Sequence, residues 1–455
     1  MKSEELRERH DTFTYQDFKA EEKDGELSLA YSFKITPDIE FTPRVTIPID
    51  AEVNPDGVAN FAFHLGMIEA VSYWKSTCSP NLKVKAGKLT DRQVGWWHDL
   101  YMHGLGEFYH QNNIDFSSPD FLQIQSTSHA QLPQRINNPE ANGELIMVGG
   151  GKDSVVTLGA LRAESRQNVL LLNPTRAARD TSRIAGFDKP IVVKREIDKR
   201  LLKLNAEGYL NGHTPFSAYL SFLGVFVGAI HDYEHVIASN ESSAGVGSLE
   251  VHGMDINHQY SKGYRYEKMF REYAERNLTG DVSYFSFLRP LSELQIAALF
   301  STESRYDEAF CSCNITRNEH FCGDCPKCAF VYLVLSPFLD SDRKTNIFGG
   351  DEYFDKPTIQ QHISDLVGIG EHKPFDCVGT EEESQLALLL TIDRLEKAGE
   401  DVPEFLYKVR KNLNLGGSND MENIARRLKS DWDADNFLPE DYEKILKRKL
   451  QELEL

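Results

Sequence analysis

At residue 145 the chain writes Leu-Ile-Met-Val, then three glycines, then Lys152-Asp-Ser154 at the head of a helix-forming stretch. A short apolar run closed by glycine is the pattern of a strand buried on both faces. Glycine amides at the start of a helix form a nest for an anion, and the missing side chains let a phosphate approach closely. That strand–turn–helix signal constrains what surrounds it. Residues 168–172 form a second apolar run ending at Asn173, residues 191–193 a third and residues 235–239 a fourth. Helical stretches separate them, the longest over about residues 214–233. Strand and helix in alternation predict an α/β fold with a parallel sheet and helices on both faces. Ligands of such sheets bind beyond the carboxyl ends of the strands, where Gly149, Asn173 and Asn240 stand.

The loop is not a Walker A motif, because Ile146 occupies the place of its first glycine and Asp153 follows the lysine. Asp153 suits a magnesium ion and Ser154 a phosphate oxygen. Residues 141–350 are expected to form this nucleotide-binding domain. Residues 1–140 are expected to form an α+β module. There Leu27, Leu29, Tyr31, Phe33 and Ile35 alternate with polar residues after the Asp24-Gly25 turn, which predicts a hairpin, and Val45, Ile47 and Ile49 suggest another strand. Val94, Trp97, Tyr101, Leu105 and Phe108 share one helical face. Residues 351–455 read as mostly helical, broken at Gly416-Gly-Ser-Asn419, with a charge-rich, solvated last helix.

Fifty Lys and Arg against seventy Asp and Glu leave a net charge of -20, which repels nucleic acid and anionic membrane. The expected partner is a small molecule, with no nucleic acid and no membrane. The N-terminal ten residues carry no apolar signal segment and the longest apolar stretch, residues 220–230, is too short for a bilayer, so a cytoplasmic location is expected. Five of the seven cysteines lie between Cys311 and Cys328. Cys313, Cys322, Cys325 and Cys328 have the spacing C-x8-C-x2-C-x2-C, which suits a tetrahedral structural zinc ion in a reducing compartment. An iron–sulfur cluster is the rival, although its next cysteine would fall at Tyr332. Cys311 is left over as a buried thiol.

Gly149-Gly-Gly-Lys-Asp-Ser154 resembles the Ser-Gly-Gly-x-Asp-Ser loop of the PP-loop ATP pyrophosphatases, with Gly149 in place of the first serine. The knuckle is similar to those of PP-loop enzymes such as the 7-cyano-7-deazaguanine synthases. Further blocks narrow the likeness: Asn240-Glu-Ser-Ser243, Asn257-His-Gln-Tyr-Ser-Lys262, Tyr284-Phe-Ser-Phe-Leu-Arg-Pro-Leu-Ser-Glu293, Cys322-Gly-Asp-Cys-Pro-Lys-Cys-Ala-Phe330 and Lys373-Pro-Phe-Asp-Cys-Val-Gly379. Together they resemble the ATP-dependent UDP-N-acetylmuramoyl-L-alanyl-L-glutamate epimerases (MurL) of bacterial cell-wall synthesis. The likeness covers about residues 140–385 well and the N-terminal module loosely; Asp376 stands where the family more often has Glu.

The resemblance implies a PP-loop (adenine nucleotide alpha hydrolase-like) domain that uses ATP and Mg2+, with Zn2+ in the knuckle. UDP-MurNAc-L-Ala-L-Glu would be the substrate and D-Glu the inverted product. Gly149, Gly150, Gly151, Lys152, Asp153, Ser154, Asn173 and Asn240 would hold the nucleotide, and Asp153 the magnesium. His213, His258, Lys262 and Cys377 are the candidates for proton transfer. His213, in Gly212-His-Thr-Pro215, also reads as a helix-capping residue, Cys377 as a buried thiol, and Arg289 with Glu293 as a buried ion pair. Another PP-loop adenylating enzyme, making a nitrile or a thiolated tRNA base, and a zinc-bearing scaffold without activity are the competing readings.

Overall fold

The computed structural model describes residues 2–50, 53–130, 138–161, 166–247, 249–316, 319–350, 352–370, 374–413 and 426–453. The expected break at residues 416–419 and Lys373 lie outside them. The chain divides into two compact units. The first holds residues 1–145, 191–236 and 249–284, and the second residues 146–190, 237–248 and 285–455. The strands are β1 Thr12–Lys23, β2 Glu26–Ile35, β3 Ile39–Phe41, β4 Arg44–Pro48, β5 Asn81–Val84, β6 Gln123–Ser126, β7 Glu144–Met147, β8 Gln167–Leu172 and β9 Ile191–Glu196. They continue with β10 His235–Ala238, β11 Leu249–Val251, β12 Met254–Ile256 and β13 Ser283–Ser286.

In the first unit the order is β9-β4-β2-β1-β5-β6, with β3 against β2. β1 and β2 form the expected antiparallel hairpin. Its two-residue turn needs positive φ at both positions, and Asp24 (53°) and Gly25 (77°) supply it. Leu27, Leu29, Tyr31, Phe33 and Ile35 are all buried, so period-two patterning became one packed face. Against this sheet lies the helix Pro55–Trp74, started by Asn54, whose side chain accepts from the amides of Asp56 and Gly57. Gly66 makes the close approach possible, because a Cβ there would lie 2.1 Å from the Tyr15 hydroxyl oxygen. The apolar face read over residues 94–108 is buried at Trp97, Tyr101, Leu105 and Phe108, but two helices carry it, Asp91–Gly104 and Gly106–Gln111. Gly104 abuts the Pro215 ring, where a Cβ would approach to 3.1 Å, and the chain bends at Leu105.

β7, β10 and β13 begin in the first unit and end in the second, and with β8 their order is β13-β10-β7-β8. The Ser283 amide donates to the Glu234 carbonyl and the Phe287 amide to the Ala238 carbonyl, so β13 and β10 advance in parallel. The run at 191–193 forms the expected strand, β9, which pairs antiparallel with β4, with Arg44 opposite Glu196. The tail supplies the helices Glu381–Ala398, Glu404–Asn412 and Glu440–Gln451. The last is not wholly solvated. Tyr442, Leu446 and Leu450 are buried at intervals of four, and Tyr442 packs against Phe285 with ring centres 5.0 Å apart. No helix among the described residues is long and apolar enough to cross a membrane.

Candidate functional site

β7 runs into Gly149, and Gly151 precedes the helix Lys152–Ala160. Gly150 has φ +85°, and a Cβ on it would lie 2.4 Å from the Ala178 amide nitrogen, in the first turn of the helix Arg176–Ile184. Only glycine fits there. Gly149 is different: a Cβ would meet nothing within 4 Å. The missing serine therefore leaves open space rather than a filled one. Ser154 Oγ accepts the Gly150 amide at 3.2 Å and donates to the Gly151 carbonyl at 2.9 Å. Ser312 Oγ accepts the Lys152 amide at 3.2 Å, and the Cys311 amide donates to the Gly150 carbonyl at 3.0 Å.

Lys152 is fully buried and its ammonium contacts the carboxylates of Asp153 and Glu293. Burial opposes its charge, but the two carboxylates overcome that and raise its pKa. Burial pushes Glu293 up to about 7 against the pull of Lys152. The expected Arg289–Glu293 pair is thus corrected: Glu293 serves Lys152, and buried Arg289 donates to the Glu241 carbonyl. Asn173 follows β8 with φ 43°, and Asn240 follows β10, its amide donating to Ser286 Oγ at 2.9 Å. In the same unit a cavity of about 300 Å³ is lined by Ser242, Ser243, Ser292, Thr380, Glu383 and Arg427, a size at the low end of small-molecule sites.

The sulfurs of Cys313, Cys322, Cys325 and Cys328 lie within 4.8 Å of one another. Cys322 and Cys328 are 3.7 Å apart, against about 3.8 Å for two thiolates on one tetrahedral zinc. The donor set fits such an ion. Cys325 caps the helix Pro326–Leu335 and accepts the Cys328 amide. The hydrogen bond from Cys328 draws the Cys325 thiol down to about 5. Cys311 is outside the set, and burial pushes its thiol up to about 12. The Cys377 carbonyl accepts from Lys327 of the knuckle helix, and Asp376 accepts from Asn314 at 2.6 Å.

The first unit holds a second cluster. His258 Nδ1 contacts Glu107 Oε2, and His213 Nδ1 lies 3.6 Å from the same oxygen. The two imidazole centres are 4.6 Å apart. Glu107 Oε1 accepts from Gln111 at 2.8 Å. Burial holds His213 down to about 3, with His258 and Lys75 adding to the effect. Buried Lys75, itself pulled down by burial to about 8, donates to the Gly212 carbonyl and to Thr214 Oγ1. Lys262 Nζ donates to Gln259 Oε1 at 3.3 Å. His213 and His258 are therefore brought together in the first unit. Sequence reasoning missed Glu107, Lys75 and Ser312, which lie in no motif, and it found Glu293 only with the wrong partner.

Two family profiles cover most of the chain, the MurL N-terminal domain over residues 4–287 and the MurL C-terminal domain over residues 309–418. The chain belongs to the MurL family. Three relatives in this family carry the name UDP-N-acetyl-alpha-D-muramoyl-L-alanyl-L-glutamate epimerase. The one from Xanthomonas oryzae pv. oryzae is 32% identical over 418 residues, 89% of this chain and 91% of that protein. The one from Micromonospora sp. is 35% identical over 408 residues, 87% of this chain and 89% of that protein. The one from Salinispora tropica is 35% identical over 404 residues, 86% of each chain. No solved structure matches the chain.

Proposed function

We propose that this chain is an ATP-dependent epimerase that inverts the terminal L-Glu of UDP-MurNAc-L-Ala-L-Glu to D-Glu in peptidoglycan precursor synthesis. The supporting observation is the strand-end loop, with buried Lys152 between Asp153 and Glu293, in a chain aligned over 86–89% of its length with proteins named for that epimerisation. The substrate's glutamate amine is locked in a peptide bond, so a Schiff base cannot form. Its carboxylate is anionic, and removing the Cα proton would create a dianion. Adenylation by a PP-loop domain turns that carboxylate into a neutral mixed anhydride, and the enolate becomes far easier to stabilise. Hydrolysis of the adenylate afterwards leaves AMP and pyrophosphate.

In this reading Gly149, Gly150, Gly151, Lys152 and Ser154 cradle the phosphates, with Asn173 and Asn240 at the neighbouring strand ends. Asp153 is the residue that would hold magnesium, which when bound neutralises charge on the polyphosphate. The four cysteines hold a structural zinc. His213, His258, Lys262 and Cys377 are the groups among which the Cα proton moves.

The test is the reaction run in deuterated water with ATP, magnesium and the L-Ala-L-Glu nucleotide. D-Glu carrying deuterium at Cα is expected, together with AMP and pyrophosphate. An ATP analogue whose α–β bridge cannot be cleaved is expected to give neither label nor inversion. Inversion with that analogue would refute the adenylation, and AMP release driven by a deazapurine or tRNA instead would refute the substrate.

A further inference from the structure

We propose that Glu107 is the positioning residue for proton transfer, holding His258 in the tautomer that carries its proton on Nδ1 and its lone pair on Nε2. This rests on the epimerase reading and deepens it, by separating His258 from the other three candidates.

The geometry supports one carboxylate serving two rings. Glu107 is buried, and its two oxygens have different tasks. Oε1 accepts from Gln111 Nε2, one turn along the same helix, which fixes the plane of the carboxylate. Oε2 then faces His258 Nδ1, and His213 Nδ1 stands 3.6 Å away. A carboxylate can only accept, so the proton of the close pair sits on His258 Nδ1, and Nε2 becomes the basic nitrogen. The Cα–H bond of the adenylated glutamate breaks, its electron pair enters the enolate, and the proton passes to Nε2. The imidazolium so formed lies against the Glu107 charge.

His213 stands on a loop that is held twice. Asn112 donates to the Asn211 carbonyl at 3.0 Å, and Lys75 donates to the Gly212 carbonyl and to Thr214. Glu107 lies against both imidazoles, and burial makes a charge on His213 costly. His213 therefore packs as the uncharged neighbour while His258 carries the proton.

The experiment uses the full chain labelled with 15N-histidine. In the wild-type protein the His258 nitrogens are expected to report a protonated Nδ1 and a bare Nε2, a measurement that needs neither a variant nor turnover. In Glu107→Gln that preference is expected to be lost. Its kcat for inversion and its Cα exchange are expected to fall about 100-fold or more, with KM changed by less than about 3-fold. ATP–pyrophosphate exchange driven by the nucleotide substrate is expected to persist in the variant. Glu107→Asp is expected to restore part of both the tautomer and the rate. A His258 protonated on Nε2 in the wild type would overturn the proposal. So would equal loss of pyrophosphate exchange and Cα exchange in Glu107→Gln, or a metal ion bound by the three residues. Absence of ATP–pyrophosphate exchange in the wild type would instead refute the adenylation, leaving the tautomer measurement to judge Glu107.

Discussion

Alanine at Gly150 and alanine at Gly149 are adjacent, chemically identical changes with opposite expected outcomes. At Gly150 the backbone sits at φ +85°, which costs a residue with a Cβ about 1–2 kcal/mol. The new methyl would also lie 2.4 Å from the Ala178 nitrogen and 2.5 Å from the Ala177 carbonyl carbon. Those are backbone atoms of a helix, not the end of a flexible side chain. Reaching ordinary contact requires a shift of about 1 Å, and forced overpacking of this kind costs about 1–3 kcal/mol. The expected loss for Gly150→Ala is therefore about 2–5 kcal/mol. At Gly149 the methyl enters open space, and the expected change is under about 1 kcal/mol in either direction. Urea denaturation followed by tryptophan fluorescence measures both, and calorimetric titration with ATP and magnesium tests the loop. Equal stability of the two variants would refute the argument, as would a Gly149→Ala as damaged as Gly150→Ala.

Lys152→Met is expected to cost about 3–5 kcal/mol by leaving Glu293 buried without its cation; converting Glu293 to Leu in the same chain should recover part of the loss in thermal denaturation. His64 is fully buried and held down to about 3 by desolvation. Because the unfolded chain takes up that proton first, its contribution is complete above about pH 6.5 and falls by about 1.4 kcal/mol per unit below it. The slope of unfolding free energy between pH 7 and 5 should therefore be shallower in His64→Gln. Cys325→Ser is expected to lose the zinc ion proposed for the four-cysteine site and lower the melting temperature, while ATP affinity of the folded fraction holds; metal analysis finding iron with sulfide would contradict it.

Much of the local structure was legible because its physics is local. The Asp24-Gly25 hairpin follows from a twofold period and a turn that needs positive φ. The four cysteines follow from spacing, because C-x2-C places two thiols at one end of a helix. Contacts made at long range left no such mark. Glu107 is one glutamate on a six-residue helix, and its partners stand at positions 213 and 258. Charge alone assigned Glu293 to nearby Arg289, although Lys152 is its partner. The unbroken stripe over residues 94–108 hid the bend at Leu105, where Gly104 packs against the distant Pro215 ring.

The pairing of β4 with β9 sets an order of events during synthesis. Arg44, Val45 and Thr46 must wait for Glu196, Arg195 and Lys194 before their outer hydrogen bonds are made. At ribosomal rates the interval is roughly 8–30 s, long compared with hairpin closure in microseconds. Through that interval β4 is a raw edge on a sheet whose other strands can already assemble, the situation that invites pairing with a second nascent chain. Pro43 precedes it and Pro48 is its last residue, and proline, which offers no amide to a neighbour, is a common guard on such edges. A fragment ending before residue 191 would keep this edge open indefinitely, so the amino-terminal half is a poor candidate for separate expression.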